Sequence, residues 1–352
     1  MGIRDQALGA ASALCLMPSA SPAFLLCVGF DGLAVTPALR EIIARGVRNV
    51  ILFARNFVDR TQLSELCHEV KALAPAGESI LICVDHEGGR VQRFLTGFTR
   101  VPPMRDIGRI AEEDELEPAE HQVRSLGRLI AGELRSCGID LNLAPVLDVD
   151  SNPANPVIGE RSFGRDQHLV ARLGVDMIES MQSTPHSIAA CGKHFPGHGD
   201  TSNDSHFDLP RLPHDLKRLR EIELVPFAAA ISAGVACIMP AHVMFDALDR
   251  DAPATMSQRV VDGLLRTELG FEGVVITDDL EMKAIADHFG VVDGAVRACA
   301  AGADMLMCCH TPQRQHAIID ALDKAFQDGR LPPQRIEESV RRIKALHGRF
   351  VR

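Results

Sequence analysis

The sequence contains no tryptophan and no tyrosine, and aromatic residues make up only 4% of the chain. Trp and Tyr combine a broad apolar ring with a polar group, which suits them to ligand sites. Their absence excludes a binding site built on stacked indole or phenol rings. A carbohydrate ligand would therefore have to be recognised through charged and polar side chains.

Long apolar runs and basic runs are also missing. No stretch reaches the ~20 apolar residues that a membrane-spanning helix needs. The formal net charge is −10 and the pI is about 5.8, and the densest charge cluster, residues 217–223, has mixed signs. Because nucleic acids and membrane surfaces are anionic, this balance argues against both as partners. We expect a monomer that acts on a small molecule.

The ten cysteines form no CxxC pair. Several lie inside apolar, strand-like runs, where a free thiol behaves as a small hydrophobic side chain; these are Cys27, Cys83, Cys191 and Cys237. The pattern fits a reducing compartment better than a disulfide framework.

Residues 1–23 are predicted to form an extension before the folded domain. Arg4, the apolar stretch 7–17 and the small residues 19–23 resemble a weak signal peptide. The apolar stretch is rich in Ala, Gly and Ser, however, and Asp5 weakens the positive charge at its start. We therefore expect a cytoplasmic protein.

Short apolar runs alternate with amphipathic helical patterns from about residue 24 onward. Eight runs are strand candidates: 24–28, 49–53, 80–84, 140–145, 188–191, 235–239, 273–277 and 305–308. Apolar strands that alternate with helices indicate a parallel sheet covered on both faces. Eight such units predict a single-domain (β/α)₈ TIM-like barrel over residues 24–352, with a doubly wound open sheet as the alternative.

Polar clusters follow five of the predicted strands at their carboxyl ends. They are residues 85–93, 157–164 and 193–206, then His242, and finally residues 278–279. Barrel enzymes build their active sites on this face. The placement therefore predicts one shared site.

The segment 193–206 reads Lys-His-Phe-Pro-Gly-His-Gly-Asp-Thr-Ser-Asn-Asp-Ser-His, and its glycines and proline prevent a regular helix. Asp204 can fix the tautomer of His206 and raise its basicity, which suits an acid/base near neutral pH. His194 and His198 are either structural or in contact with a ligand. The same histidines and aspartates could bind zinc or manganese, although their spacing matches no metal motif of known mechanism.

Asp278 and Asp279 end an apolar run. A carboxylate at a barrel strand's end can be a nucleophile, a base or a metal ligand. The structural alternative, stronger for Asp279, is an N-cap for a helix beginning near Leu280.

Asp85, Arg90 and Arg93 flank the glycine pair 88–89. They form either a tight turn with a buried ion pair or a clamp for sugar hydroxyls, since the carboxylate accepts hydrogen bonds and the guanidinium groups donate them.

Together these motifs resemble glycoside hydrolase family 3, in its β-N-acetylhexosaminidase branch. The matching stretches are 85–94, 159–164, 193–201 with 204–206, and 277–282. The resemblance covers roughly residues 24–350, and the lysine–histidine loop is its most specific part. His86 stands where the resemblance leads us to expect glutamine, a small departure beside the sugar site that does not touch the catalytic residues.

The resemblance implies retaining exo-hydrolysis of terminal β-linked N-acetylglucosamine with no cofactor. Asp278 would be the nucleophile that forms a covalent glycosyl-aspartate. His206, oriented by Asp204, would be the general acid and then the general base, where most glycosidases use a second carboxylate. The sugar would be held by Asp85, Arg93, Arg161, Lys193 and His194.

The same resemblance implies a cytoplasmic bacterial enzyme of cell-wall recycling that acts on N-acetylglucosaminyl-anhydro-N-acetylmuramic acid and its peptides. Roles in cell-wall biogenesis, cell shape, the cell cycle and cell division would follow. Two rival functions remain: a metal-dependent barrel hydrolase, and a β-N-acetylglucosaminide phosphorylase, because a histidine acid/base does not repel phosphate as a glutamate would.

Overall fold

Eight parallel strands close into a barrel in the computed structural model, which describes residues 21–113, 116–202 and 209–352. The strands are β1 (Leu26–Val28), β2 (Asn49–Leu52), β3 (Leu81–Val84), β4 (Leu141–Asn142), β5 (Ala189–Phe195), β6 (Cys237–Pro240), β7 (Val274–Asp279) and β8 (Met305–Cys308). They pair in chain order, and β8 pairs with β1. Each overlaps a predicted strand. The barrel prediction is confirmed, and the open doubly wound sheet is wrong.

Helices surround the barrel. They are α1 (Pro37–Ala44), α2 (Arg60–Lys71), α3 (Met104–Glu113), α4 (Leu116–Ser136), α5 (Gln167–Gln182), α6 (Leu216–Glu221), α7 (Leu224–Ser232), α8 (Lys283–Ala286), α9 (Val291–Ala301), α10 (Pro312–Gln327) and α11 (Pro333–Phe350), with a π-helical segment at Arg259–Glu268. A small antiparallel hairpin, His86–Gly88 with Val91–Gln92, follows β3. None of the described helices is both long and apolar enough to cross a membrane.

Helix α5 shows how the sequence dictates these elements. The Asp166 side chain accepts hydrogen bonds from the backbone N–H groups of His168 and Leu169, which would otherwise be unpaired at the helix start. The apolar stripe predicted along this helix is buried: Val170, Leu173, Met177, Ile178 and Met181. Helical periodicity therefore places one face of α5 against its neighbours and leaves the other exposed.

The described cysteines, which exclude Cys15, are free and buried. Burial raises the pKa of Cys191 and Cys237 far above the ordinary thiol value. A thiol that is not ionised is a poor nucleophile. These cysteines therefore pack as small apolar side chains, as the sequence predicts.

The amino-terminal end of the barrel is organised around one carboxylate, Asp304, which is fully buried immediately before β8. Its oxygens lie 2.5 Å from Arg266, 2.5 Å from Arg335 and 3.2 Å from Arg342. It also accepts a hydrogen bond from the backbone N–H of Val275 at 3.0 Å. Three guanidinium groups from the π-helical segment and α11 thus converge on the point where β7 and β8 begin.

We expect Asp304→Asn to lower the free energy of unfolding by about 3–5 kcal/mol, because it leaves buried cations without their shared counter-charge. Chemical denaturation measures the change. Asp320→Asn is the matched control: its partner is also an arginine, Arg45, but the Asp320 side chain is 69% exposed, and an exposed pair contributes at most about 1 kcal/mol. Similar losses for both variants would contradict a structural role for Asp304.

Candidate active site

The carboxyl ends of the strands open into two cavities of about 310 and 400 Å³. Asp85, Arg93 and Asp278 line both of them. The smaller cavity is also lined by Glu87, Arg90, Arg161, Lys193, His194 and His198, and the larger by Phe53, Asp279, Met307 and His310, among others. The structure therefore brings together the polar clusters that follow β3, β4, β5 and β7, as the sequence predicts.

A buried lysine connects these clusters. The side chain of Lys193 is 3% exposed, and its Nζ lies 2.8 Å from Asp85 Oδ1 and 2.6 Å from Glu87 Oε1. Arg93 approaches Asp85 from the other side, with 3.5 Å between Nη2 and Oδ2. The Asp85–Arg93 ion pair expected as the structural alternative for this motif is present but only partly buried, and both residues also line the cavity.

Glu87 is a site residue that the sequence motifs did not single out. Arg161 donates two hydrogen bonds of 2.8 Å to its two carboxylate oxygens. Burial alone would raise the pKa of Glu87, but the adjacent Arg161 and Lys193 charges hold it well below its ordinary value. The sequence did offer one indication that Glu87 faces the site. It lies two residues after Asp85, and alternate residues of an extended segment face the same side.

His194 is fixed by a buried carboxylate. Its Nδ1 lies 2.7 Å from Asp148 Oδ2, and Asp148 also accepts hydrogen bonds from the backbone N–H groups of His194 and His198. Burial raises the pKa of Asp148, but the His194 partner and these hydrogen bonds outweigh it and leave the pKa below its ordinary value. The anionic Asp148 therefore orients His194 at the cavity wall.

His198 is held by the loop that it belongs to. Its Nδ1 is 2.7 Å from Thr201 Oγ1, and burial lowers its pKa to about 4. Asn155 donates hydrogen bonds to the carbonyl groups of His198 and Gly199. A Cβ atom on Gly199 would lie only 1.7 Å from the Val149 carbonyl oxygen. The glycine therefore allows the loop to dock against the barrel.

Asp278 and Asp279 differ in their surroundings. Asp278 lines both cavities. Asp279 Oδ1 accepts hydrogen bonds from the backbone N–H groups of Glu281 and Cys309, and its Oδ2 lies 3.1 Å from His310 Nε2. Asp279 therefore ties the end of β7 to the loop after β8, and it also lines the larger cavity.

Neither aspartate is the N-cap residue of the following helix, so the helix-cap interpretation is wrong. Helix α8 begins at Lys283, and its N-cap residue is Met282. Asp279 instead accepts a hydrogen bond from Met282 through its backbone carbonyl, at 3.0 Å. It stabilises the turn that precedes the helix.

His242 contacts the backbone at the same end of β7. It is buried, its Nδ1 is 2.7 Å from Thr255 Oγ1, and its Nε2 is 3.1 Å from the Asp279 carbonyl oxygen. Burial lowers its pKa, so the neutral ring can accept a hydrogen bond from Thr255 and donate one to Asp279. The sequence placed His242 on the correct face but did not reveal these contacts.

The described segment just before residue 203 is held in place through Asp200. Asp200 Oδ2 lies 2.7 Å from His214 Nε2 and 3.3 Å from Arg218 Nη2. Arg218 also lies 3.2 Å from the buried Glu223. These ion pairs fix the position of Asp200 relative to helices α6 and α7.

The predicted acid/base residues His206 and Asp204 lie outside the described residues. Among the residues that the structure describes, no group of three or more His, Cys, Asp or Glu side chains is placed to hold a metal ion. Both roles of the 204–206 segment therefore remain predictions.

His86 does not line either cavity. Its side chain is 1% exposed and lies among phenylalanines, with ring centroids 5.7 Å from Phe94 and 5.6 Å from Phe98. Burial, aided by the charge of Arg93, lowers its pKa to about 4. The position expected to hold glutamine is thus part of the core beneath the site.

Comparison with known proteins decides the family. The sequence model of the glycosyl hydrolase family 3 N-terminal domain matches residues 26–346. The chain belongs to this family. It is 44% identical over 277 residues to the beta-hexosaminidase of Thiobacillus denitrificans, covering 79% of this chain and 75% of that protein. With the beta-hexosaminidase of Neisseria meningitidis serogroup C (strain 053442) it shares 40% identity over 293 residues, covering 83% and 78%.

Solved structures of this glycoside hydrolase family resemble the fold of this chain over more than nine tenths of its length. A family 3 β-N-acetylglucosaminidase from Paenibacillus sp. str. FPU-7 has 43% sequence identity and a TM-score of 0.88 over 93% of this chain, which spans only 61% of that longer protein. NagZ from Neisseria gonorrhoeae, in complex with N-trifluoroacetyl-D-glucosamine, has 35% identity and a TM-score of 0.76 over 93% of this chain and 94% of that one. The chain is a glycoside hydrolase of the β-hexosaminidase type.

The neutral, buried His86 should make stability depend on pH. In the unfolded chain its pKa returns to about 6.5, whereas the folded pKa is about 4. Between these values the unfolded state binds more protons, so stability falls as the pH falls. We expect His86→Gln to reduce the loss of unfolding free energy between about pH 8 and pH 5 by roughly 1–2 kcal/mol.

Urea denaturation at the two pH values measures this difference within each variant, so any constant packing cost of the glutamine cancels. His168→Gln, at an exposed position, is the control and should leave the pH dependence unchanged. An unaltered pH dependence in His86→Gln would show that His86 is not held neutral.

Proposed function

We propose that the enzyme is a retaining exo-β-N-acetylglucosaminidase with Asp278 as its nucleophile. The observation that carries the proposal is the position of Asp278 at the end of β7, where it lines both cavities, whereas Asp279 lines only the larger one. A nucleophile must face the substrate. Asp278 meets that requirement better than its neighbour.

The lining of the smaller cavity supports recognition of a single terminal sugar. Its volume of about 310 Å³ is at the lower end of ligand pockets. Both carboxylates and cations line it, and sugar hydroxyls can donate hydrogen bonds to the carboxylates and accept them from the cations. In this proposal Asp85, Arg93, Arg161, Lys193 and His194 hold the N-acetylglucosamine residue.

The same ion pairs support a histidine as the proton carrier. Asp85 and Glu87 are both paired with Lys193, and the depressed pKa of Glu87 keeps it ionised. An ionised carboxylate in a salt bridge is a poor general acid at neutral pH. The proton must then come from elsewhere, and His206 with Asp204 supplies it in this proposal.

The reaction would proceed in two steps. Asp278 attacks the anomeric carbon while His206 donates a proton to the departing oxygen, which leaves a glycosyl-aspartate. His206 then takes a proton from water as the water attacks the same carbon, and this releases the sugar with retained configuration.

We further propose that the substrates are peptidoglycan fragments, N-acetylglucosaminyl-anhydro-N-acetylmuramic acid and its peptides. The enzyme would act as a cytoplasmic monomer in cell-wall recycling, with residues 24–352 as the catalytic domain. The support is the similarity to the beta-hexosaminidases named above. Roles in cell shape and division would follow from that pathway.

We expect the effect of His206→Ala to depend on the leaving group. A sugar alkoxide needs a proton in order to leave, whereas a nitrophenolate does not, so glycosylation by a nitrophenyl glycoside should be far less impaired. Deglycosylation still lacks its base, so azide should restore turnover of the nitrophenyl substrate. Asp204→Ala should show the same pattern more mildly, because the imidazole remains but loses its orienting partner.

Steady-state kinetics on both substrate types, with and without azide, test this proposal. Equal losses for the two leaving groups, together with loss of bound metal in elemental analysis, would instead identify a metal-dependent hydrolase. Release of N-acetylglucosamine 1-phosphate in phosphate buffer would identify a phosphorylase.

A further inference from the structure

A third cavity, of about 430 Å³, lies at the opposite end of the barrel from the active site. Its walls are residues 234–236 before β6, residues 270–274 before β7 and one face of α11. Along β7, Val274 in this cavity and Asp278 in the active site are four residues apart, or roughly 13 Å. The two sites are therefore separated by the barrel interior.

The lining of this cavity carries an excess of positive charge. Arg341, Arg342 and Arg349 line it, against one acidic residue, Glu272. Arg342 is 3.2 Å from Asp304 and 3.7 Å from Glu338. Arg341 and Arg349 have no carboxylate within salt-bridge distance among residues 21–113, 116–202 and 209–352. A local excess of arginine is unexpected in a chain of net charge −10.

The arginines around Asp304, next to the cavity, add to this excess of positive charge. Asp304 is shared by Arg266, Arg335 and Arg342, so three cations surround one buried carboxylate. The Nε atoms of these three arginines are buried and have no hydrogen-bond partner in the described part of the chain. A buried donor without an acceptor is costly. Because the three arginines outnumber Asp304 and Glu338, the cluster has a net positive charge that would attract an anion in the adjacent cavity.

Part of the same lining is apolar. Ile231, Phe271, Leu346 and Phe350 line the cavity beside the arginines, and the guanidinium carbon of Arg349 lies 4.7 Å from the centre of the Phe350 ring. The cavity thus offers cations on one side and hydrocarbon on the other. A ligand that matches it has an anionic head and a small apolar body.

We propose that this cavity is a second ligand site, distinct from the glycosidase site, which binds a phosphate monoester with a small apolar group. A guanidinium group presents its donors as a planar fork that matches the oxygens of phosphate. Arg341 and Arg349, about two helical turns apart on α11, contact the phosphate, and Phe271 and Leu346 contact the apolar body. The inference does not depend on the proposed glycosidase mechanism.

Isothermal titration calorimetry with phenyl phosphate as the probe tests the site on the full chain. Wild type should bind it, and more tightly than inorganic phosphate because of the apolar contacts. The double variant Arg341→Gln/Arg349→Gln should bind at least tenfold more weakly. Both positions are exposed, so the fold should be retained. Arg128→Gln, at an exposed arginine of α4, is the matched control and should bind as wild type does.

Two further measurements separate this site from the active site. The double variant should hydrolyse a nitrophenyl β-N-acetylglucosaminide with unchanged kcat and KM, and saturating N-acetylglucosamine should not displace phenyl phosphate from the wild type. The proposal is overturned if phenyl phosphate does not bind, if the double variant binds it as well as wild type does, or if N-acetylglucosamine displaces it.

Discussion

The buried ammonium group of Lys193 is the contact on which the geometry of the barrel mouth depends. It comes from β5 and reaches two carboxylates, Asp85 and Glu87, in the segment after β3. Glu87 in turn holds Arg161, from the loop after β4. Removing one partner of a buried ion pair leaves an uncompensated charge, which costs several kcal/mol. The two connecting segments, after β3 and after β4, are therefore fixed relative to β5.

These ion pairs also indicate that different residues bind the sugar and transfer the proton. Glu87 neutralises a buried lysine and a buried arginine, and their charges lower its pKa. It can therefore accept hydrogen bonds from a sugar but is a poor proton donor. The proposed nucleophile, Asp278, lies at the end of β7, where His242 contacts the Asp279 carbonyl group and the Asp279 N–H donates a hydrogen bond to Asp278. The proposed proton carrier, His206, is separate from Glu87, which is consistent with this division. Asp200, which precedes it in the same segment 193–206, contacts Arg218, which also contacts Glu223.

Local sequence patterns predicted the barrel and the face on which the site lies. Apolar runs mark the strands because parallel strands are buried on both faces, and polar residues directly after them must lie at the carboxyl end. The orienting partners could not be predicted in this way. Asp148 lies 46 residues from the His194 that it orients, and no local pattern links them. His86 is similar: its motif suggested a position beside the sugar, but packing against Phe94 and Phe98 places it in the core.

The central claim is that Asp278 becomes covalently bound to the sugar, and peptide mass spectrometry tests it most directly. A His206→Ala enzyme, quenched with acid during turnover of a nitrophenyl β-N-acetylglucosaminide, should carry the mass of one N-acetylhexosamine residue. Fragmentation should locate that mass on Asp278, and the added Asp278→Asn change should abolish it. Modification of Asp279 or of another residue, or no adduct while nitrophenol is released in a burst, would contradict the account.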